Sequence, residues 1–169
     1  KNQAEAGLLD TYESERVPHV QKYIDTAIKL GGLINATDPT NAFESSKKNT
    51  KNGTTMKSLY PELGIGLGSF LGSNLKKHRG LIASQPRLSK NQLMDDLSGY
   101  KSVFISRSPI KGLLTNISEL PFLCIDTIAE PGLNQFLDDL SVEAVLIRPD
   151  RYILGTAKSF DEQEALISI

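Results

Sequence analysis

The sequence contains one cysteine, almost no net charge and no long hydrophobic run. Cys124 alone cannot form an internal disulfide or a Cys-x-x-Cys redox pair. The purely apolar runs are only a few residues long, far short of the ~20 that a membrane span needs. A formal net charge of −1 gives no global attraction to nucleic acid or to an anionic membrane. The N-terminal residues also lack the basic-then-apolar pattern of a signal peptide. We therefore expect a reducing cytoplasm, with neither nucleic acid nor membrane as partner.

The chain does have enough material for one ordinary domain and an appendage. It has 169 residues, of which 39% are hydrophobic and 23% are charged. These values are typical of a globular protein that buries a core.

The N-terminal region has a helical pattern. Asp10 followed by Glu13 is typical of a capping box and predicts a short helix over residues 11–16. Pro18 then either kinks this helix or begins a new one. Apolar residues recur at helical spacing beyond it, and the pattern fades at Gly31-Gly32. These apolar residues are Val20, Ile24, Ala27 and Ile28.

Two polar or glycine-rich stretches follow. Residues 41–58 carry lysines without the aromatic or arginine interleaving that a nucleic-acid site needs, which indicates a solvated loop or short surface helix. The stretch LGIGLGSFLGS, residues 63–73, is not spaced as G-x-G-x-x-G, and no hydrophobic strand precedes it. We therefore predict a close-packed, flexible connector here and not a phosphate-binding loop.

From Arg79 onward, strand and helix patterns alternate. Residues 80–88 indicate a short extended segment interrupted at Pro86, and Ser89 with Gln92 predicts a capped short helix that ends near Gly99. The elements predicted after it are a strand at 101–108, a helix within 108–118, a strand at 120–126, a helix from Pro131, a hairpin over 143–157 that turns at Pro149-Asp150, and a last helix capped by Ser159 with Glu162.

This order of elements predicts an α/β fold. Two strands joined through a helix indicate a parallel pair, and the hairpin adds antiparallel strands. A mixed central sheet with flanking helices, in this order and of this size, is typical of the thioredoxin-like architecture. We divide the chain into a helical segment at 1–38, a polar and glycine-rich linker at 39–78, and a thioredoxin-like domain without redox cysteines at 79–169.

Three stretches carry a resemblance to a known family. The first follows an L-L-x-x-Y-x-x-E-R-x-P pattern, the second is QPRL (85–88) with residues 91–107, and the third is VLIRPDRYILGTA (145–157). Together they resemble FAD-dependent aromatic hydroxylases, the single-component flavoprotein monooxygenases that include phenol hydroxylase and 3-(3-hydroxyphenyl)propionate hydroxylase. The residues that match the first pattern are Leu8, Leu9, Tyr12, Glu15, Arg16 and Pro18.

The resemblance implies a role for each part of the chain. Residues 1–38 would be the helical tail of an FAD domain, and the thioredoxin-like unit its C-terminal domain. The family's flavin-binding motifs (G-x-G-x-x-G, D-G and a G-D-A-A-H type) do not occur in this sequence. We therefore expect a non-catalytic fragment, inactive alone, that serves packing or dimerisation and whose partner is the missing N-terminal FAD domain. The full-length parent is implied to hydroxylate a phenolic substrate with FAD, NAD(P)H and oxygen.

No residue of this chain is predicted to be catalytic, cofactor-binding or metal-binding. Cys124 lies within an apolar strand pattern, which favours a buried, inert thiol. His19 and His78 belong to no ligand-spacing motif. No serine, histidine and acid fall in a recognisable nucleophilic frame.

The remaining charged candidates have simple structural interpretations. Glu13, Glu15 and Arg16 could touch the flavin domain, but Glu13 is most simply a helix cap and Arg16 a surface or interdomain ion pair. Arg148 and Asp150 flank Pro149 in the hairpin turn. Pro149 and Asp150 would stabilise that turn, and Arg148 would be solvated.

Two other functions remain open. An independent redox enzyme of the thioredoxin or peroxiredoxin type needs a reactive cysteine after the first core strand, where Ser106 to Ile110 offer serine and no cysteine. A free-standing thioredoxin-like interaction domain would expose the apolar face of the helix over 18–30 and self-associate through it, as a homodimer for example.

Overall fold

A four-stranded mixed sheet forms the centre of the protein. The computed structural model describes residues 7–34, 60–64, 66, 71–110 and 122–168. The strands are β1 (Ser102–Ser106), β2 (Phe122–Asp126), β3 (Ala144–Ile147) and β4 (Ile153–Ala157), in the order β2-β1-β3-β4. β1 runs parallel to β2 and antiparallel to β3, and β3 runs antiparallel to β4. This arrangement confirms the predicted mixed α/β fold with a parallel pair and an antiparallel hairpin.

The central strand β1 is buried on both faces. Val103, Phe104 and Ile105 are fully buried. Because successive side chains of a strand point to opposite faces, Val103 and Ile105 enter one apolar cluster and Phe104 enters the other. A sheet with two buried faces needs an element packed on each, which explains the near-continuous apolar sequence of this strand.

One helix covers each face of the sheet. α3 (Leu133–Leu140) contributes Leu133, Phe136 and Leu137 to the first cluster, as its predicted periodicity requires. α4 (Phe160–Ile167) contributes Leu166 and Ile167 to the second cluster. The cap predicted for this last helix is confirmed, since Ser159 Oγ accepts a hydrogen bond from the Glu162 backbone N–H at 3.2 Å.

The cap predicted at Ser89 is wrong. Residues Ser89–Asn91 form a short 3-10 turn, which Asn91 ends in the left-handed conformation with φ of 60°. The helix α2 (Met94–Ser98) begins only afterwards, and the Asp96 carboxylate accepts the Leu93 backbone N–H at 3.1 Å. The left-handed residue therefore separates the predicted cap from the helix.

The N-terminal region forms one uninterrupted helix, α1 (Gly7–Ile34), of 28 residues with Pro18 inside it. The new helix start at Pro18, the capping box at Asp10 and the end at Gly31-Gly32 are wrong, because one helix runs from Gly7 to Ile34. The alternative of a kink at Pro18 stays a prediction. Asp10 instead lies in the first turn of α1, where a negative charge interacts favourably with the helix dipole.

Part of the predicted linker packs into the core. A 3-10 turn at Ser73–Lys76 lies against β4 and α4, and Leu71 and Leu75 are buried in the second cluster. The predicted loop over 41–58 and almost all of the helix predicted within 108–118 lie outside the described residues. Within the described ranges, no helix combines the length and the apolar composition that crossing a bilayer requires.

We predict that replacing Leu137 with alanine destabilises the fold strongly. Its side chain is fully buried, and truncation of such a leucine costs roughly 2–5 kcal/mol because it removes apolar burial and leaves a cavity. The matched control is Leu97→Ala at a position that is 46% exposed, for which we expect a change within about 0.5 kcal/mol. Urea unfolding followed by circular dichroism measures both free energies, and equal losses would contradict the assigned core.

Candidate functional site

The hairpin turn between β3 and β4 is built by its own backbone. The Arg151 N–H donates to the Arg148 carbonyl at 3.0 Å, and the Arg148 N–H donates to the Tyr152 carbonyl at 2.9 Å. Asp150 Oδ1 accepts the Tyr152 N–H at 3.4 Å, which confirms the local backbone bond predicted for this aspartate. The turn therefore holds three charged side chains and one tyrosine in a defined arrangement.

Arg148 forms a two-pronged ion pair with Glu15 of α1. Its Nη1 and Nη2 donate to Glu15 Oε1 and Oε2 at 2.6 and 3.0 Å, and Nη2 also donates to Asp150 Oδ2 at 2.9 Å. The side chains of Glu15 and Arg148 are only 7% and 17% exposed. The prediction that Arg148 is solvated is therefore wrong. Burial acts to lower the pKa of Arg148, but the hydrogen bond to Glu15 and the charge of Asp150 outweigh it and raise that pKa.

Arg16 makes a second connection between the helix and the turn. Its Nη2 lies 3.6 Å from Asp150 Oδ2, and its guanidinium carbon lies 5.4 Å from the centre of the Tyr152 ring, a cation–π distance. The ion pair predicted for Arg16 is confirmed. Glu13 is exposed on α1 and lies too far inside the helix to cap it.

His19 lies one turn further along the same face of the helix. It is 9% exposed, and its Nε2 is 3.1 Å from the Tyr152 hydroxyl oxygen. The rings of Tyr23 and Tyr152 meet the imidazole edge-on at 5.2 and 5.9 Å between centroids. Burial, followed by the charges of Arg16 and Lys22, lowers the pKa of His19. The imidazole of His19 therefore holds α1 against the hairpin. Within the described ranges, no cluster of ligating side chains could hold a metal.

Next to Pro18, the backbone of another segment packs closely against α1. Proline has no N–H, so the carbonyl of Ser14 loses its helical hydrogen bond. The backbone of Gly64 lies against this carbonyl, and the Gly64 N–H donates to the neighbouring Glu15 carbonyl at 2.9 Å. A side chain at Gly64 would overlap the Ser14 carbonyl, and one at Gly66 would overlap the Glu15 carboxylate. The close packing predicted for the glycine-rich stretch is confirmed at these two residues.

The opposite side of the turn is fixed to α2. Arg151, which has a φ of 68°, places its Nε 2.5 Å from Asp95 Oδ1 and donates from Nη2 to the Gly99 carbonyl. The turn at 148–152 therefore links two helices, because Arg148 and Asp150 contact α1 while Arg151 contacts α2. We call this assembly of α1, Gly64, Gly66 and the turn the junction.

The surroundings of Ser106, Cys124 and His78 do not favour thiol or nucleophilic chemistry. Ser106, at the end of β1, is fully buried, and its hydroxyl donates to Gln163 Oε1 at 2.7 Å. Cys124 is partly buried on β2, where burial raises the pKa of its thiol to about 11. His78 is partly buried, and burial lowers its pKa. The junction itself consists of paired charges and hydrogen bonds, an arrangement suited to holding segments together.

The sequence points to several charged residues of the junction but not to their pairing. Glu15, Arg148 and Asp150 were each singled out, yet Glu15 and Arg148 are 133 positions apart. The signal for this pairing is that Glu15 and Arg148 both lie in motifs that resemble those of one family. The sequence gives weaker signals for the contacts of Tyr152 and Gly64. Tyr152 lies in the last of the three motifs, and Gly64 lies in the glycine-rich stretch.

We predict opposite effects for two glycine-to-alanine substitutions. Gly64→Ala should destabilise the protein by roughly 1–3 kcal/mol, because the added methyl group overlaps the Ser14 carbonyl. Gly31→Ala, in α1 with no atom within 4 Å of the added group, should stabilise the helix by up to about 1 kcal/mol. Urea unfolding at 222 nm measures both, and a neutral Gly64→Ala would contradict the close packing.

We predict that Cys124 reacts slowly with alkylating reagents at neutral pH. With a pKa of about 11, the thiolate is a small minority at pH 7, and the alkylation rate should rise about tenfold per pH unit up to that value. Iodoacetamide labelling followed by mass spectrometry from pH 7 to 10 measures it, with free cysteine as control. A rate at pH 7 above that of free cysteine would favour a redox enzyme.

Comparison with known proteins supports a relationship to aromatic hydroxylases. No protein-family profile matches the chain. The chain is similar to a probable NADH-specific resorcinol 4-hydroxylase of Rhodococcus jostii (strain RHA1), with 26% identity over an alignment of 183 positions. The alignment covers 94% of this chain and 33% of that protein. The chain therefore spans about one third of the length of this relative.

Proposed function

We propose that this chain is a non-catalytic C-terminal part of an FAD-dependent aromatic-ring monooxygenase, and that it serves packing. The observation that carries the proposal is the Glu15–Arg148 pair, which joins the first hydroxylase-like motif to the last. Because these two motifs contact each other, we expect a related protein that has one of them to have the other as well. The similarity to the resorcinol 4-hydroxylase along 94% of the chain supports the same assignment.

The sheet belongs, in this proposal, to a thioredoxin-like domain that has lost redox chemistry. The order β2-β1-β3-β4, with β3 antiparallel to both neighbours, is the arrangement that such a domain requires. The position at the end of β1 that would carry a reactive cysteine holds the buried Ser106. The domain would then act through its surfaces.

The partner of this unit would be the FAD domain of the full-length enzyme, which packs on α1. The face of α1 opposite to Glu15 and His19 is largely apolar, is interrupted by the exposed Glu13, and is open to solvent. Its large side chains, with their exposed fractions, are Leu9 (78%), Val17 (56%), Val20 (46%), Ile24 (46%) and Ile28 (67%). An apolar face of this kind marks an interaction surface. The full-length protein would bind FAD and use NAD(P)H and oxygen to hydroxylate a phenolic substrate. NADH is the first reductant to test, and resorcinol the first substrate.

A second candidate is a free-standing interaction domain in the cytoplasm. The same exposed face of α1 favours it, because two copies of the chain could bury this face in a homodimer. In that case the isolated chain would be a dimer, and Ile28→Asp would return it to a monomer. Analytical ultracentrifugation separates these states.

The proposal is tested with the complete product of the gene that encodes this chain. We expect a protein several times heavier than 18.5 kDa, the mass of this chain, that binds FAD and oxidises NADH in a resorcinol-dependent reaction yielding a hydroxylated product. The isolated chain is the matched control and should bind no flavin. Flavin absorbance, NADH consumption and product chromatography are the measurements. A complete product of 18.5 kDa, or a longer one without flavin, would contradict the proposal.

A further inference from the structure

α1 is attached to the rest of the protein by polar contacts. Among its described side chains, the buried ones are Glu15 and His19, both polar. Neither apolar cluster of the sheet contains a described side chain of α1. The attachment therefore depends on ion pairs and hydrogen bonds, whose strength changes with the charge of their members.

The sheet core does not need α1 for its closure. Its two clusters are formed by the strands, α3, α4 and the segments leading into them. Elements with few buried apolar contacts open at a lower free-energy cost than the core. Release of α1 and unfolding of the sheet can therefore be separate events.

His19 is the member of the contact that changes charge near neutral pH. Its Nε2 faces the Tyr152 hydroxyl, while its buried Nδ1 has no hydrogen-bond partner within the described part of the chain. A protonated imidazole would carry two N–H donors, and only one of them faces an oxygen. The cationic Arg16 lies over the same tyrosine ring, and Lys22 is close enough to act on His19.

The carboxylates near His19 are already paired. From α1, Glu15 is paired with Arg148. From the turn, Asp150 lies between Arg148 and Arg16. Among the described residues, the phenols of Tyr23 on α1 and Tyr152 on the hairpin are further titratable neighbours. A positive charge on His19 would therefore be repelled by Arg16 and Lys22.

We propose that α1 is a pH-sensitive strap, which protonation of His19 releases from the hairpin turn while the sheet stays folded. The attached helix favours the neutral imidazole, and protonation therefore favours the released helix. Attachment is complete above the ordinary histidine pKa of ~6.5 and weakens as the pH falls below it. The strap would operate in this chain whether or not it forms part of a flavoenzyme.

Hydrogen exchange at single amides tests the strap directly. The Gly64 amide reports attachment, because it donates to the Glu15 carbonyl, and the Arg107 amide, which donates to the Glu143 carbonyl, reports the sheet. From pH 7.5 to 5.5 we expect the protection factor of Gly64 to fall severalfold, with an upper limit of about tenfold set by one proton and the ordinary pKa. The protection factor of Arg107 should change less than twofold.

The two histidines of the chain provide matched variants. His19→Gln should abolish the pH dependence of the Gly64 amide, and His78→Gln should leave it intact. A flat profile in the unmodified chain, or an unchanged profile in His19→Gln, would overturn the proposal. If His19→Gln is detached at every pH, NMR titration of His19 in the His78→Gln chain decides. A His19 pKa below that of a short peptide of the same sequence supports the strap, and an equal or higher value refutes it.

Discussion

The buried ion pair between Glu15 and Arg148 is the contact on which the attachment of α1 depends. Both side chains are largely removed from water, so each charge relies on the other for stabilisation. Their pairing fixes the rotation of α1 about its axis and brings Arg16 and His19 to Asp150 and Tyr152. The same rotation turns the apolar stripe of the helix outward. One polar contact thus determines which surface of the helix is available to a partner.

The glycine and proline residues near the pair have a common explanation. Pro18 removes one helical hydrogen bond, and the backbone of Gly64 approaches the helix at the carbonyls of Ser14 and Glu15. Such an approach needs a residue without a side chain. Close packing on α1 therefore explains Gly64 and Gly66 of the stretch that superficially resembles a phosphate loop. The attachment is local, hydrogen-bonded and separable from the sheet core.

The sheet and its helices were predictable because their signals are local. Short apolar runs predict the strands, and a 3.6-residue periodicity predicts α3. Pro149-Asp150 predicts the hairpin turn. The continuity of α1 was not predictable, because a proline inside a helical pattern is as consistent with a new helix start as with a continuous helix. The partner of Arg148 was hidden because it lies 133 positions away. Sequence patterns pointed to Glu15, Arg16, Arg148 and Asp150, and the fold shows how they pair and adds the contacts of Tyr152 and Gly64.

The measurement that tests the junction most directly is a charge exchange between Glu15 and Arg148. Glu15→Arg and Arg148→Glu each place two like charges together, and each should weaken the attachment of α1 by up to roughly 3–5 kcal/mol. The double exchange restores an opposite pair, so we expect it to recover a substantial part of that loss, which the hydrogen-exchange protection of the Gly64 amide in the four proteins measures as a coupling energy. If the two losses simply add in the double variant, Glu15 and Arg148 are not paired and this account of the junction is wrong.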